Sequence, residues 1–176
     1  MAYLQNGGQF EVETERDLHQ FLEKQGVYYE RLEENHTPKF FEKKLVLSED
    51  EKLELLHVYK DFIADFATRR GYEKWDIAIL SEQTPDMLKK FGSLHYHLED
   101  EVRIVVGGGG IFTIHSHDGS GYFELKAIAG DVVVVPANRA HAFRLSDHLQ
   151  FIVVRLFEGE ASSITFPVDD PAFIVK

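Results

Sequence analysis

Apolar residues recur at helical spacing in the first half of the chain. Between residues 48 and 71, leucine, tyrosine, isoleucine and phenylalanine return every three or four positions, which predicts one amphipathic helix of about 22 residues. Ser48 and Glu51 have the spacing of a capping box at its start. Two shorter helices are predicted over residues 14–25 and 84–92.

Beyond residue 92 the helical period gives way to short runs rich in valine, isoleucine and phenylalanine. Turn residues separate these runs at intervals of roughly ten residues, and the four glycines 107–110 are interpreted as one such turn. Regularly spaced short strands are typical of an antiparallel barrel or jelly roll. The predicted strands cover 75–79, 93–97, 102–106, 111–117, 122–128, 131–135, 141–145 and 149–157.

The chain length of 176 residues suits one domain of ordinary size. We expect a single domain over residues 1–176. Its helical part, about 1–92, would pack outside a β-barrel formed by about 93–160. The predicted fold class is therefore mainly β, a barrel or jelly roll with N-terminal helices on its outer surface.

Charge and composition narrow the range of partners. The chain has 30 acidic and 19 basic residues, a net charge of −11, and no cysteine. An acidic surface is repelled by phosphate, so neither nucleic acid nor an anionic membrane is an expected partner. The sequence shows no secretory signal and no apolar run near the ~20 residues that cross a bilayer. We expect a cytoplasmic protein without disulfides or thiolate chemistry.

Two histidines lie two positions apart where the predicted barrel begins. His95 and His97 would project from one face of a strand, because side chains alternate along strands. Glu101 follows four residues later, and His141 begins a later strand. Three imidazoles and a carboxylate that converge inside a barrel suit a borderline divalent metal such as Fe, Ni, Mn, Co or Zn. Glu99 is the alternative carboxylate, and Glu101 is favoured because it has room to bend back.

A second pair of histidines has the same spacing. His115 and His117 run into a predicted tight turn at 118–121, and no carboxylate follows at the matching distance. We therefore expect these two histidines to be exposed at a strand end. The other histidines are interpreted as surface or packing residues: His19, His36, His57 and His148.

Two segments resemble the sequence motifs of the cupin superfamily. Residues 95–101 followed by Gly108 resemble the first motif, and residues 130–141 resemble the second. Asn138 stands where the second motif usually has glycine. Because asparagine tolerates a positive φ, we expect the turn to persist.

A more specific resemblance, over roughly residues 15–160, is to the acireductone dioxygenase family. It depends on the run His-Tyr-His-Leu-Glu-Asp-Glu-Val-Arg at 95–103 and the segment Gly-Tyr-Glu-Lys-Trp-Asp at 71–76. The elements at 26–31 and 155–157 also resemble that family. These flanking segments make the resemblance more specific than the cupin motifs alone.

The resemblance implies a monomeric cupin enzyme of methionine salvage with one Fe²⁺ or Ni²⁺ per chain. Its substrates would be O₂ and the acireductone 1,2-dihydroxy-3-keto-5-methylthiopentene. An iron form would yield formate and 4-methylthio-2-oxobutanoate, and a nickel form would yield formate, carbon monoxide and 3-methylthiopropanoate. By position, the metal ligands would be His95, His97, Glu101 and His141.

Further residues are candidates for contacts with the substrate. Arg103 lies on the predicted ligand face, and we expect it to pair with the anionic oxygens of an enediol as a catalytic residue. A salt bridge to a nearby glutamate is its alternative role. Arg155 is a second candidate for the same contact. An apolar wall for the methylthio tail is expected from Phe91 and Phe143.

Two other functions are compatible with the same residues. A different metal-dependent cupin, either an isomerase or another dioxygenase, would keep the barrel and the metal. The acidic surface argues mildly against sugar phosphates as its substrates. A non-catalytic cupin would bind a ligand or a partner, although a pure binding module needs no complete set of four metal ligands.

Overall fold

The computed structural model describes residues 3–5, 14–159 and 164–174, which form helices and antiparallel strands. The helices are α1 (Glu15–Lys24), α2 (Glu49–Val58), α3 (Lys60–Arg70) and α4 (Pro85–Gly92), with a 3₁₀ helix at Lys39–Lys43. The strands are β1 (Tyr3–Gln5), β2 (Tyr28–Arg31), β3 (Lys74–Ser81), β4 (His95–Tyr96), β5 (Glu101–His115), β6 (Tyr122–Ile128), β7 (Asp131–Val135), β8 (His141–Leu145), β9 (Gln150–Phe157) and β10 (Phe166–Pro167).

The strands form two layers that have β5 in common. The first half of β5 pairs with β7 and β9, and β2 and β3 extend this first layer on either side. The second half of β5 pairs with β6 and β8, while β1, β4 and β10 complete the second layer. The mainly β architecture predicted from the sequence is thereby confirmed.

The four glycines 107–110 lie inside β5, so their interpretation as a turn between two strands is wrong. They mark the point where β5 passes from the first layer to the second, next to a register shift against β9. Gly108 has φ of +66°, and a Cβ there would collide with the backbone carbonyl of Gln150. A Cβ on Gly110 would collide with the ring of Phe143. Glycine thus permits a bend within one continuous strand.

Side chains alternate between two apolar clusters on the faces of the first layer. Val105 and Val153 point into the barrel, where they join phenylalanines of the second layer. Ile104 and Val154 point outward, against helices α2 and α3. Helices α1 and α4 instead pack against the interior cluster. The expected position of the N-terminal helices around the barrel is confirmed.

The helix predicted over residues 48–71 consists of α2 and α3, which are separated at Tyr59. Its predicted capping box is present, with the Ser48 side chain and Glu51 bonded reciprocally. Tyr59 has φ of −102° and ψ of 10°, and its buried hydroxyl donates to Asn35 at 2.9 Å. The break therefore coincides with a tertiary hydrogen bond that periodicity does not reveal.

Two strands of the first layer come from the part of the chain predicted to be helical. β3 extends the strand expected at 75–79, whereas β2 has no counterpart among the predicted strands. Both lie at the edges of the layer, where they pair with β9 and β7. The extent of the domain, residues 1–176, stays a prediction.

Candidate metal centre

Three histidines and one glutamate meet at the barrel end where β4 approaches β8. His95 in β4 lies directly opposite His141 in β8. His97 follows β4, and Glu101 is the first residue of β5. All four side chains are almost completely buried. The two strands and the intervening bend thus bring together the residues that the sequence singled out.

Each of the three imidazoles is oriented by a backbone carbonyl oxygen at its Nδ1 atom. A neutral imidazole that donates from Nδ1 has an unprotonated Nε2, which is the form that binds metals. The three contacts are His95 to Ser93 at 2.6 Å, His97 to Ile164 at 2.9 Å and His141 to Arg139 at 2.8 Å.

The loop before β8 is also tied to this centre. Asn138 adopts φ of +63°, and its backbone N–H donates to the carbonyl oxygen of His97 at 2.7 Å. Asparagine is among the few residues that tolerate this conformation. The expectation that the turn persists without glycine is confirmed.

The inward-facing atoms form a set of lone-pair donors. One ring nitrogen from each histidine lies within 4.8 Å of the other two. Glu101 lies against them, with its carboxylate oxygens 2.6 Å from Nε2 of His141 and 3.7 Å from Nε2 of His97. Within the described ranges, Oε2 of Glu101 and the three Nε2 atoms are buried without a hydrogen-bond partner. A bound cation would offset the cost of burying these groups.

The protonation states fit a divalent metal. Burial lowers the pKa of His95 to about 4, which keeps the imidazole neutral at physiological pH. Burial alone would raise the pKa of Glu101, but the positive charge of Arg103 holds that pKa well below its ordinary value. Imidazole nitrogens together with one carboxylate are a common donor set for Fe, Ni or Zn.

Glu99, the alternative carboxylate, lies away from the imidazoles. Its Oε2 atom accepts hydrogen bonds from the backbone N–H groups of Glu158 and Gly159, both at 3.2 Å. The structure therefore brings Glu101, and not Glu99, to the three histidines.

The other histidines lie outside this cluster. His115 is half-buried with its ring 4.9 Å from that of Tyr122, and His117 is exposed, with Nδ1 3.0 Å from Arg139. The expected exposure is thus confirmed for His117 and only partly for His115. The remaining four are exposed, in agreement with their interpretation as surface residues: His19, His36, His57 and His148.

A narrow cavity adjoins the histidines. Phe91, from α4, and Phe143, from β8, both line it. The other apolar lining residues are Leu80, Met87, Phe112, Phe151 and Val153. The polar part of the wall includes His95, His141, Glu101, Arg103 and Arg155. The cavity thus connects the cluster of three histidines and Glu101 with a largely apolar space.

Arg103 and Arg155 are both in the cavity wall, and each is paired with a carboxylate. Arg103 donates to Glu101 and, at 3.0 Å, to the carbonyl oxygen of Val102. Arg155 forms a bidentate pair with Asp76 at 2.8 and 2.5 Å. Sequence reasoning missed Asp76, although strand alternation could have placed it on the interior face. It also missed the backbone carbonyl groups that orient the imidazoles, because the pattern of side chains does not reveal them.

None of the helices in the described part of the chain is long and apolar enough to cross a membrane.

The two-layer barrel with inward-facing histidines defines a metal-binding protein of the cupin type. Residues 9–165 match the model of the ARD/ARD' family, and the chain belongs to this family of acireductone dioxygenases.

Individual relatives agree with this assignment. The acireductone dioxygenase of Geobacillus thermodenitrificans (strain NG80-2) is 42% identical over 162 residues, which cover 90% of each chain. That of Bacillus cereus (strain ATCC 10987 / NRS 248) is 37% identical over 149 residues, 83% of this chain and 87% of the relative. A solved Bacillus anthracis acireductone dioxygenase, with a cadmium ion in its active centre, has a TM-score of 0.86. It is 34% identical, and the match covers 94% of this chain and 98% of that one. The chain is therefore an enzyme of the acireductone dioxygenase type.

Proposed function

We propose that this enzyme cleaves 1,2-dihydroxy-3-keto-5-methylthiopentene with O₂ in methionine salvage. The observation that carries the proposal is the set of buried, unpartnered Nε2 and carboxylate atoms beside a cavity with arginines in its wall. An acireductone is an electron-rich enediol that loses a proton to form an anion. The site offers cationic groups for this anion and an apolar space for its methylthio tail.

His95, His97, His141 and Glu101 are the proposed ligands of a single ion, Fe²⁺ or Ni²⁺. When bound, the ion would stabilise the anionic enediol and hold it in a reactive geometry. We propose that the iron form yields formate and 4-methylthio-2-oxobutanoate. The nickel form would yield formate, carbon monoxide and 3-methylthiopropanoate.

Arg103 is the proposed catalytic residue of the protein itself. It is buried beside Glu101, and two of its N–H groups are used by Glu101 and Val102. A guanidinium has five N–H donors, so others can donate to the enediol oxygens. Its fixed positive charge would keep the substrate deprotonated in the cavity. Arg155, farther along the same wall, is proposed to contact the substrate as well.

Phe91 and Phe143 are proposed to enclose the methylthio tail. The ring of Phe91 lies 5.9 Å from that of His95, and the ring of Phe143 lies 4.6 Å from that of Phe151. Phe91 therefore borders the candidate ligands, and Phe143 packs against another residue that lines the cavity. They would exclude water from the bound substrate and orient it.

The proposal includes a monomeric, single-domain enzyme in the cytoplasm, without nucleic-acid or membrane partners. The net charge of −11 supports the exclusion of phosphate-rich partners. Light scattering coupled to size-exclusion chromatography measures the oligomeric state, and a mass of about 20 kDa is expected from the chain mass of 20.2 kDa.

The experiment that tests the function separates substrate binding from oxidation. Acireductone is added without oxygen to protein loaded with Fe²⁺ or Ni²⁺, and O₂ is then admitted. We expect O₂ uptake above that of metal-free protein, with carbon monoxide only from the nickel form. If neither metal-loaded form consumes O₂ above the metal-free background, the proposed function is wrong.

A further inference from the structure

Four charged side chains form a row along the inner face of the first layer. Asp76 in β3 lies opposite Arg155 in β9, and Arg155 lies opposite Arg103 in β5. Glu101 is two residues before Arg103 and shares its face. The exposed fraction of the side chain falls along this row from 47% for Asp76 to 22%, 9% and 6% for the other three. The row therefore leads from solvent to the candidate metal centre.

Two like charges are neighbours in the middle of the row. Arg103 and Arg155 are direct cross-strand partners, an arrangement that destabilises a sheet unless the charges are compensated. Glu101 compensates Arg103 at the buried end. At the exposed end, Asp76 accepts hydrogen bonds from Nε and Nη2 of Arg155 at 2.8 and 2.5 Å.

The ion pair with Asp76 also fixes the orientation of the Arg155 guanidinium. A bidentate pair holds the plane of a guanidinium, whereas a single contact does not. Without Asp76, repulsion from Arg103 would push the guanidinium of Arg155 away from the cavity. The ring of Phe157 already lies 5.4 Å from that guanidinium, and it would then be a competing partner.

We propose that Asp76 is a positioning residue, which holds Arg155 in the cavity wall so that Arg155 and Arg103 together receive an anionic enediol. Asp76 acts through Arg155 and contacts neither the substrate nor the metal. This inference rests on the proposed function, since the anion in question is the acireductone.

The test compares substrate affinity with metal content. Asp76→Asn keeps the size of the side chain and removes its charge. Nickel-loaded protein is titrated with acireductone under nitrogen, and binding is followed by ultraviolet absorbance. We expect the dissociation constant to rise about tenfold, because a charge-assisted contact is weakened. The nickel content per chain should stay unchanged, and KM should rise more than kcat falls.

Two further variants provide controls. Asp65→Asn breaks a pair with Arg69 (2.7 Å) on the exposed side of α3, and it should leave substrate affinity unchanged. Asp76→Glu restores the charge, and it should recover most of the affinity. A role of Asp76 in folding alone would instead lower the melting temperature while the dissociation constant stayed at its wild-type value.

A double-mutant cycle tests whether Asp76 acts through Arg155. In an Arg155→Met background, Asp76→Asn should cause no further loss of substrate affinity. Independent losses in the two single variants that add in the double variant would overturn the inference, as would an unchanged dissociation constant in Asp76→Asn. If wild-type nickel-loaded protein does not bind acireductone at all, the proposed function itself has failed.

Discussion

Two pairs of histidines in this chain have the same spacing but different surroundings. His95 and His97 are buried, and backbone carbonyl groups hold their Nδ1 atoms. His115 lies at the far end of β5, and His117 lies just beyond that end; neither belongs to the cluster of three histidines among the described residues. Spacing alone therefore does not make a metal site.

The two pairs differ in the face of the sheet on which their side chains lie and in the residues that the opposing strand supplies. His95 faces His141 across β4 and β8, so a third imidazole approaches the first pair. Near the end of β5, the interior positions are occupied by Phe112 and Ile114, so alternation directs His115 to the outer face. A histidine pair becomes a metal site only where another strand supplies further donors to the same face.

We expect the strongest change when an imidazole of the first pair is removed, because metal should then be lost. His97→Ala should lower nickel affinity at least about 100-fold, because it removes a proposed ligand rather than a group that supports one. His115→Ala is the matched control and should keep wild-type affinity. Competition with a chelator, followed by elemental analysis, measures both. Loss of metal in His115→Ala, with retention in His97→Ala, would mean that the wrong pair has been assigned.

A similar comparison applies to the two candidate carboxylates. Glu101→Gln should lower nickel affinity about 10- to 100-fold, because a charged donor becomes a neutral amide. Glu99→Gln should change it by less than about twofold, because Glu99 contacts backbone N–H groups away from the imidazoles. The same chelator competition distinguishes them, and the reverse order of effects would exclude Glu101 as a ligand.

The burial of His95 predicts a pH dependence of stability in the metal-free protein. Its pKa falls from 6.5 to about 4 on folding, so between these pH values the unfolded chain binds more protons. The contribution of neutral His95 to the free energy of unfolding is therefore fully present above pH 6.5. Up to about 3 kcal/mol of this contribution is lost as the pH falls toward 4.

Urea unfolding of the metal-free protein at several pH values measures this loss. His95→Gln should show a flatter dependence between pH 4 and 6.5 than the wild type. His115→Gln is the control for the removal of a less buried imidazole. If the free energy of unfolding depends on pH in the same way in the wild type and in His95→Gln, the lowered pKa of His95 is contradicted.

The smallest effect is expected for His117. This exposed side chain contacts the guanidinium of Arg139 at 3.0 Å, and His117→Ala should change the free energy of unfolding by no more than about 0.5 kcal/mol. Nickel affinity should be unaffected, because the carbonyl of Arg139 that holds His141 is retained. A tenfold loss of nickel affinity would show instead that this contact positions His141.

The sequence predicted those parts of the fold that depend on local patterns. Alternating apolar residues mark most barrel strands, and the capping box marks the start of α2. The glycines 107–110 were misinterpreted because glycine is typical both of turns and of bends within a strand. Only the pairing of β5 with strands of both layers distinguishes the two, and such pairing is a long-range property.

The same limit applies to the candidate site. His95, His97, Glu101 and His141 could be singled out because their side chains have the chemistry and the spacing of ligands. The carbonyl groups that orient the imidazoles could not, since every residue has one. Asp76 was missed because its role depends on β3 lying beside β9, which no local pattern reveals.

In our proposal, three imidazoles and Glu101 hold one ion. Anomalous X-ray scattering at the nickel edge, from crystals of nickel-loaded protein, tests it most directly. We expect one strong peak per chain, bounded by Nε2 of His95, His97 and His141 and by the Glu101 carboxylate. A dominant peak at His115 and His117, or no peak at the four residues, would contradict it.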